Sequence, residues 1–394
     1  MTLLLVLPLM GLGVAALAIV LFFALEIAAS FLHRAPAPPP AGPRGPLVVV
    51  IPAHDEEQGV AATINAAAAG LGAQDRVLVV ADNCSDGTAA AARAAGAEVV
   101  ERVDAERRGK GYALQAGVDH LSAAPPETVV FLDADCQPAP GAVDRIARLA
   151  AARRRPVQAL YLARPAAAAG PASAVSAFAW LLINRVRMAG LQTLGGFSRL
   201  TGSGMAFPWA LVKDRTFASG EIVEDLAMTA ALVEEGTPPM LDIGALVESE
   251  LARSAAGAAT QRARWEIGSL RLAFRRAGAL FAKGVGGDGR ALLMAFDLLI
   301  PPLTLLGAVI VAGCLVSIPL ALAGRTGPLA LFWDAGLIFA AAVVVAWFAH
   351  GRTVLPPKTL AGLGEYLLGK LSVYGGEGRK SAERWTRTDR GDGR

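Results

Sequence analysis

Charged residues are scarce in this sequence. Lysine, arginine, aspartate and glutamate together make up 18% of the 394 residues, whereas 54% are apolar. Soluble domains usually contain about 25% charged and about 45–50% apolar residues. The apolar excess therefore needs surroundings other than water, and it is concentrated near the two ends of the chain.

Cysteine is also scarce, and basic charge is almost balanced by acidic charge. The three cysteines, Cys84, Cys136 and Cys314, lack the spacing of a metal-binding motif, and we expect reduced thiols in a cytosolic domain. A formal net charge of +3 is too small and too dispersed to indicate a nucleic-acid partner. The basic residues lie near predicted membrane flanks, where anionic membrane lipid accounts for them.

Long uncharged runs at both ends predict membrane-spanning helices. Residues 2–25 carry no charge and are long enough to cross a hydrocarbon core of about 30 Å. A cleaved signal peptide is the alternative, but its apolar part would be shorter and would follow a basic start. Further apolar runs at 303–322 and 328–348, joined by a short linker, predict a helical hairpin. Basic residues after the first and last runs place the intervening domain on the cytoplasmic side.

These runs divide the chain into six predicted regions. In order, they are an N-terminal transmembrane anchor, a Pro-rich linker, a cytosolic domain, amphipathic interface helices, a transmembrane hairpin and a basic cytosolic C-terminal segment. Their bounds are 1–33, 34–46, 47–250, 251–290, 291–350 and 351–394. The start of the hairpin is not fixed by the sequence, because residues 298–300 could lie on the membrane surface instead.

The cytosolic region alternates between two kinds of segment. Apolar, β-branched runs predict strands at 47–53, 76–82, 97–102 and 128–135. Alanine-rich runs between and after them predict helices at 57–71, 85–95, 110–123 and 140–153. Strands that are apolar on both faces and alternate with helices predict an α/β fold, with a mostly parallel sheet flanked by helices.

Acidic residues follow three of the predicted strands. Asp55, Glu56 and Glu57 come after the first strand, Asp82 ends the second, and Asp133 and Asp135 end the fourth. Ligands bind beyond the carboxyl ends of the strands in such sheets. A cluster of carboxylates at that edge repels itself unless a cation compensates it, and Mg²⁺ or Mn²⁺ bound together with a diphosphate would do so. A solvated turn is the alternative for the Asp133-Ala-Asp135 triplet.

Two glycine-containing segments fit a nucleotide. The segment "ADNCSDGT" (81–88) places Asp82 and Asn83 where they could bond a base or ribose, although helix capping also explains it. In "ERRGKGYALQAG" (106–117), glycines flank Lys110 at a helix start, which suits a phosphate. A solvated basic loop is the alternative there.

Three further segments carry residues that could bind or activate a ligand. The segment "TGSGMAFP" (201–208) is a polar loop that contains Ser203. Glu224 and Asp225 begin a predicted helix, where they pair favourably with its N-terminus or serve as a general base. The segment "QRARW" (261–265) combines an indole with a guanidinium, which suits either a sugar phosphate or a membrane surface.

The ordered set of motifs resembles the family-2 glycosyltransferases. The motifs are "PAHDEE", "ADNCSDGT", "GKGYALQAG", "DAD", "GSG", "VED" and "QRARW", and the resemblance covers roughly residues 47–275. The chain looks most like the membrane-integrated bacterial branch that includes cellulose, chitin and hyaluronan synthases and exopolysaccharide transferases. The resemblance implies a GT-A fold and an inverting enzyme of the inner membrane. Such an enzyme moves a sugar from a nucleotide-diphosphate sugar, most commonly of uridine, to a lipid-linked or polysaccharide acceptor.

The resemblance also implies roles for individual residues. Asp55, Asp82 and, less directly, Glu57 would contact the nucleoside. Lys110 would approach the diphosphate, while Asp133 would help to hold the donor and Asp135 would ligate Mg²⁺ or Mn²⁺. Asp225 would be the general base, with Glu224 as the second choice. The acceptor and the diphosphate would be lined by Ser203, Gln261, Arg264 and Trp265.

The chain departs from the large processive synthases in its membrane part. Those enzymes enclose a polymer channel with more helices than the three crossings predicted here, which favours addition of a single sugar to a lipid-linked acceptor. A processive synthase completed by a homo-oligomer or by partner subunits is the alternative. A nucleotidyltransferase and a non-catalytic sensor of nucleotide-sugars are the competing classes.

Overall fold

A computed structural model describes residues 2–39, 41–165, 171–218, 223–251, 255–362 and 364. Within them the helices are α1 (Thr2–Ser30), α2 (Val60–Ala68), α3 (Thr88–Ala94), α4 (Lys110–Leu121), α5 (Ala142–Arg153), α6 (Pro171–Leu181), α7 (Met188–Gly195), α8 (Glu224–Glu234), α9 (Ala255–Val285), α10 (Gly289–Leu299), α11 (Leu303–Leu322) and α12 (Gly327–Ala346). The strands are β1 (Leu47–Ala53), β2 (Arg76–Asp82), β3 (Glu98–Arg102), β4 (Thr128–Phe131), β5 (Cys136–Pro138), β6 (Val157–Arg164), β7 (Met205–Pro208) and β8 (Met240–Glu250). A π-helical segment, Leu182–Arg187, joins α6 to α7. Most of the basic C-terminal segment predicted at 351–394 lies outside the described residues.

The eight strands form one sheet in the order β3-β2-β1-β4-β7-β6-β8-β5. The first four strands in this order run parallel, and β6 also runs parallel to β8. Strand β7 is antiparallel to both of its neighbours, and β5 is antiparallel to β8. The predicted α/β fold with a mostly parallel sheet is confirmed, and the carboxyl ends of β2, β1 and β4 lie side by side.

The strands are buried on both faces, as their apolar sequences predict. Val49 and Ile51 belong to a core that packs under α2 and α5, whereas Val48 and Val50 face the core under α4. Gly117 lets α4 approach the sheet closely, since a Cβ at this position would lie 2.8 Å from Val50 Cγ1. Because helices cover both faces of the sheet, a polar ligand can approach it at the carboxyl ends of its strands.

The strand predicted at 128–135 is shorter in the structure. Strand β4 ends at Phe131, and the chain then turns, with the Cys136 amide donating to the Asp133 carbonyl at 3.0 Å. The Asp133 amide donates to Ser203 Oγ at 3.0 Å instead of to a neighbouring strand. This turn places both carboxylates beyond the end of the strand, as expected of residues that face a ligand.

Four helical segments are long and apolar enough to cross a membrane: Leu5–Ser30, Pro171–Gly195, Leu303–Leu322 and Gly327–Gly351. Three of them match the predicted spans, whereas Pro171–Gly195 was not predicted. In each of the three predicted segments, 22% of the most apolar stretch is buried inside the protein, compared with 67% in Pro171–Gly195. The unpredicted segment therefore packs largely inside the protein, while the other three leave most of their apolar surface outside.

The three terminal helices pack against one another. Gly313 of α11 lies so close to the ring of Phe332 on α12 that a side chain there would clash. Val20 of α1 joins Leu306 and Ile310 of α11 in a shared apolar cluster. Such small-residue contacts are typical of helices that associate in lipid.

Candidate active site

A large cavity lies beyond the carboxyl ends of β1, β2 and β4. Its volume is about 1330 Å³. The structure brings eight of the predicted site residues to its wall: Asp82, Lys110, Asp133, Asp135, Glu224, Asp225, Arg264 and Trp265. They come from strand ends, from the starts of α4 and α8, and from α9, so the fold assembles one site from distant parts of the chain.

Lys110 lies at the centre of the acidic residues. Its Nζ forms an ion pair with Asp133 Oδ1 and donates to the Gly202 carbonyl at 2.8 Å. Burial would lower the pKa of Lys110, but the charges of Asp133, Glu224 and Asp225 outweigh burial and raise it above its usual value. The ammonium group therefore stays charged, and its positive charge would attract an anionic ligand to the cavity.

Gly202 brings the lysine and the general-base candidate together. Its φ is +84°, a left-handed conformation that favours glycine. A Cβ at this position would lie 3.3 Å from Lys110 Nζ and 3.4 Å from Asp225 Oδ2. The glycine thus contributes both its carbonyl and the space in which the two side chains converge.

The two acids at the start of α8 hold their protons more tightly than usual. Burial raises the pKa of Glu224 to about 7, with Lys110 opposing the shift and Asp225 adding to it. Burial also raises the pKa of Asp225, although the Leu226 amide, which donates to Asp225 Oδ1 at 2.8 Å, and Lys110 oppose it. Carboxylates with a raised pKa in a recessed site are suited to accept a proton near neutral pH.

Asp133 and Asp135 offer oxygen ligands for a divalent cation. Their carboxylate oxygens and Cys136 Sγ all lie within 4.8 Å of one another. Mg²⁺ and Mn²⁺ take oxygen ligands in preference to a thiol, and burial raises the pKa of Cys136 well above its usual value. The donor set is therefore a pair of carboxylates, which suits Mg²⁺ or Mn²⁺ shared with phosphate oxygens.

Aromatic side chains form another part of the cavity wall. The ring of Trp265 lies 5.2 Å from that of Trp180, which lies 5.4 Å from that of Tyr161. The Tyr161 hydroxyl and Ser249 Oγ are hydrogen-bonded at 2.9 Å. Trp265 remains 36% exposed, so its ring face is available to an apolar sugar surface.

The neighbouring "QRARW" residues occupy helix α9. Arg264 lines the cavity, close enough to Glu224 for the negative charge of that residue to favour the cationic form of the arginine. Gln261 also lies on α9, but its side chain is outside the described residues. The arginine is thus placed to meet an anion beside the acidic pair.

The predicted nucleoside contacts divide into two groups. Asp82 lines the cavity, although its Oδ1 accepts from Arg102 Nη1 at 2.6 Å. Asn83 Oδ1 accepts from the Asp104 amide at 2.8 Å, and Asp55 Oδ1 accepts from the Ser85 amide at 2.6 Å. Asp55 and Asn83 both have φ at +52°. These hydrogen bonds fix the loops around the cavity.

Four predicted residues are not part of the described cavity wall. They are Asp55, Glu57, Asn83 and Ser203. Glu57 Oε2 accepts from the Gly87 amide at 3.2 Å. Ser203 is fully buried, and its Oγ also donates to Cys136 Sγ at 3.1 Å. Ser203 therefore positions the Asp133 turn from behind.

The structure adds site residues that sequence reasoning missed. His54 lines the cavity, as does Glu56, one of the acids expected after the first strand, and His54 Nδ1 donates to the Asp82 carbonyl at 2.7 Å. The position of His54 directly after β1 was the available signal. Arg187 and Arg199 also line the cavity, and an arginine within an otherwise apolar helical run was a signal for the first of them.

Arg187 belongs to a buried ion network at the cavity floor. Its Nε contacts Glu26 Oε2 of α1 at 2.6 Å, and its Nη2 contacts Asp297 Oδ1 of α10 at 2.8 Å. Arg199 Nε lies 3.7 Å from Asp297 Oδ2. The network joins the first apolar helix to the elements that carry the site.

Comparison with family models identifies the central part of the chain. The model of the glycosyltransferase-like family 2 matches residues 43–268, which is more than half of the chain. This range includes every site residue discussed above except Glu26 and Asp297. A search of curated proteins found no match.

Solved structures resemble the chain over different lengths. A mannosyltransferase from Pyrobaculum calidifontis, in complex with GDP-Man and Mn²⁺, is 18% identical, with a TM-score of 0.54, and the match covers 86% of this chain and 98% of that one. A glucosyl-3-phosphoglycerate synthase from Mycobacterium tuberculosis, in complex with Mn²⁺, UDP and phosphoglyceric acid, is 24% identical, with a TM-score of 0.36, over 50% of this chain and 68% of that one. The first likeness shows that the chain has a GT-A-like α/β fold.

Proposed function

Because this chain belongs to glycosyltransferase family 2, we propose that it moves a sugar from a nucleotide-diphosphate sugar to a membrane-associated acceptor, with inversion at the anomeric carbon. The family assignment makes the protein a glycosyltransferase. The observation that supports the proposed chemistry is the convergence of Lys110, Asp133 and Asp225 in one cavity, with Gly202 between the lysine and the base.

The proposed reaction is a single displacement. Asp225 accepts the proton of an acceptor hydroxyl, whose oxygen attacks the anomeric carbon from the face opposite the diphosphate. The new carbon–oxygen bond forms as the bond to the diphosphate breaks, and the diphosphate leaves with the electron pair. Lys110 and Arg264 stabilise the growing negative charge by their position, which is a large contribution in such sites.

We propose Asp225 as the base in preference to Glu224. Asp225 Oδ2 lies beside the Gly202 position, where Lys110 also converges. Glu224 has a pKa of about 7, and its negative charge favours the cationic form of Arg264. Glu224 is therefore better placed to tune the group that meets the leaving diphosphate.

Asp133 and Asp135 would hold the divalent cation. Bound there, Mg²⁺ or Mn²⁺ would neutralise part of the diphosphate charge. The Pyrobaculum structure contains GDP-Man and Mn²⁺, whereas uridine is the commonest nucleotide in the family that the sequence resembles. We propose a UDP-sugar as the donor, with Mn²⁺ as the first metal to test.

We also propose a membrane setting for the reaction. Helices α1, α11 and α12 would cross the bacterial inner membrane with the catalytic domain in the cytoplasm. Helix α9 exposes Phe274, Phe281 and Val285 and would lie on the membrane surface. The acceptor would be a lipid-linked intermediate of exopolysaccharide or cell-surface glycan synthesis, and a polymer synthase assembled with partner subunits is the alternative.

Nucleoside-diphosphate release by purified protein in nanodiscs tests this function. The assay supplies UDP- and GDP-sugars, bacterial lipid extract as the acceptor source, and Mn²⁺ or Mg²⁺. We expect metal-dependent release from one donor, and a loss of at least about 100-fold in Asp225→Asn, since general-base catalysis contributes about 10²–10⁴-fold. Asp135→Asn should raise the metal concentration needed, while Asp214→Asn, at an exposed position, should behave as the wild type.

Other outcomes would replace the proposal. Pyrophosphate release from a nucleoside triphosphate would identify a nucleotidyltransferase. Binding of a nucleotide-sugar with no turnover under any acceptor would identify a sensor. Full activity in Asp225→Asn would remove that residue from the role of base.

A further inference from the structure

The cavity is larger than one donor requires. Small-molecule sites usually occupy about 300–1,000 Å³, whereas this cavity measures about 1330 Å³. Beyond the polar part that contains the acids, it continues between the two C-terminal helices. We call this continuation the apolar arm and define it by Leu303, Gly307, Val311 and Leu315 of α11 and Phe339 and Val344 of α12.

The apolar arm opens towards the outside of the helices. Three of its lining residues, Val311, Leu315 and Val344, are 58%, 61% and 48% exposed. They lie on α11 and α12, two of the helices that are apolar and long enough to cross a membrane. A ligand could therefore enter the arm sideways from a bilayer without passing through water.

The lining of the arm fits a hydrocarbon better than a glycan. Among the described cavity residues from α11 and α12, Thr304 is the single polar side chain and Phe339 the single aromatic one. A sugar chain would bury many hydroxyls here without hydrogen-bond partners, which is unfavourable. A hydrocarbon chain would lose nothing by leaving the lipid for this surface.

A cationic side chain, that of Arg199, lines the cavity. Arg199 is close enough to Asp225 of the polar part and to Asp297 of α10 for both charges to act on it. Its contacts with the protein are long: Nη2 lies 3.4 Å from the Ile183 carbonyl oxygen, and Nε lies 3.7 Å from Asp297 Oδ2. A guanidinium in this position suits the phosphate of a lipid headgroup.

We propose that the apolar arm binds the hydrocarbon chain of a lipid-phosphate acceptor, with its phosphate beside Arg199 and its headgroup in the polar part of the cavity. The proposal rests on the glycosyltransferase function proposed above, and it names the acceptor class. It also accounts for a cavity that joins a nucleotide site to membrane helices.

Gly307 offers a way to close the arm. A Cβ at this position would meet Phe339 Cε1 at 3.7 Å, an ordinary contact, so Gly307→Leu can fold and would fill the arm beyond the Cβ. Gly11 on α1 is exposed and has nothing within 4 Å of an added Cβ. Gly11→Leu is therefore a matched control for an added side chain on a membrane helix.

Photolabelling of the full chain in nanodiscs tests the proposal without requiring turnover. The probe is farnesyl phosphate with a diazirine at the far end of its chain, followed by peptide mapping. We expect labelling of α11 and α12 that unlabelled farnesyl phosphate competes but bulk phospholipid does not. The competed label should fall at least about tenfold in Gly307→Leu and stay unchanged in Gly11→Leu.

Three results would overturn the proposal, and a separate measurement tests the proposed function independently of it. Labelling that unlabelled farnesyl phosphate does not reduce, or that persists in Gly307→Leu, would indicate ordinary contact with membrane lipid. Competition by a soluble oligosaccharide instead of farnesyl phosphate would point to a polymer in the arm. UDP with Mn²⁺ should bind equally well to Gly307→Leu and to the wild type. If neither protein bound UDP, the proposed function would fail, whereas the labelling result tests the apolar arm alone.

Discussion

At the scale of single residues, the spacing between Lys110 and Asp225 depends on a glycine. Gly202→Ala would place a methyl group 3.3 Å from Lys110 Nζ and 3.4 Å from Asp225 Oδ2. We expect at least about a tenfold loss of nucleoside-diphosphate release, since misplaced catalytic groups lose rate steeply. Gly96 has a similar φ of +87° and open space around a Cβ, so Gly96→Ala introduces the backbone strain alone. Equal activity losses in the two variants would contradict the expected role of Gly202.

Glu224 makes a pH-dependent contribution to folding. Burial raises its pKa from 4.5 to about 7, so the folded protein favours the neutral form. The stability that this group contributes is complete below pH 4.5 and is lost as pH rises through about 7. Glu224→Gln keeps the neutral form at every pH and should therefore raise the melting temperature at pH 8 and change it little near pH 4.5. Thermal unfolding without donor or metal measures both values, and an unchanged difference across that range would contradict the shift.

The sequence predicted the residues of the cavity wall better than those of the loops around it. Asp133, Asp135 and Asp225 were predicted because carboxylates at strand ends and helix starts are visible as a pattern. Asp55 and Asn83 carry the same side-chain chemistry, but their left-handed φ and their hydrogen bonds to Ser85 and Asp104 turn them into the loops. Those features depend on the meeting of two loops, which a linear pattern does not contain.

At the scale of elements, Arg187 joins the first apolar helix to the site. Its guanidinium contacts Glu26 of α1 and Asp297 of α10, and all three side chains are buried. Arg187→Met would leave two buried carboxylates without this partner, at a cost of about 3–5 kcal/mol. Thermal unfolding in detergent should show a clear loss relative to Arg185→Met, since Arg185 is only half-buried on the same segment. The double variant Glu26→Gln/Arg187→Met should recover part of the loss, and no recovery would contradict an electrostatic cause.

The accuracy of the predicted strand boundaries depended on which residues follow each strand. Strands β1 and β2 match their predicted bounds because polar residues follow buried apolar runs immediately. The strand predicted at 128–135 ran four residues too far, since alternating apolar and acidic residues look like a strand although Ser203 ties back the chain. The segment Pro171–Gly195 was missed because its arginines weaken the apolar signal, and Glu26 and Asp297, the partners of Arg187, are far away in sequence.

At the scale of the whole molecule, the sheet constrains how the chain can cross a membrane. Strands β6 and β7 flank Pro171–Gly195, and they pair directly, with Val157 opposite Ala206. Both ends of this segment therefore lie on the same side of a membrane, and it cannot cross as a single helix. In the proposed membrane setting, crossings by α1, α11 and α12 would then place the catalytic domain on one side and the loop at Arg325 on the other.

Cysteine labelling in intact cells tests this arrangement. In a Cys84→Ser background, we expect an impermeant maleimide to label Arg325→Cys from outside, because one crossing by α11 separates this loop from the catalytic domain. Asp214→Cys, whose position is 84% exposed, should be labelled only after the membrane is permeabilised. A fourth crossing at 171–195 would reverse both results, since it would carry Asp214 outside and return Arg325 to the cytoplasm. The paired positions therefore distinguish a three-crossing chain, in which the apolar arm faces the bilayer beside a cytoplasmic site, from a four-crossing chain that would split the sheet.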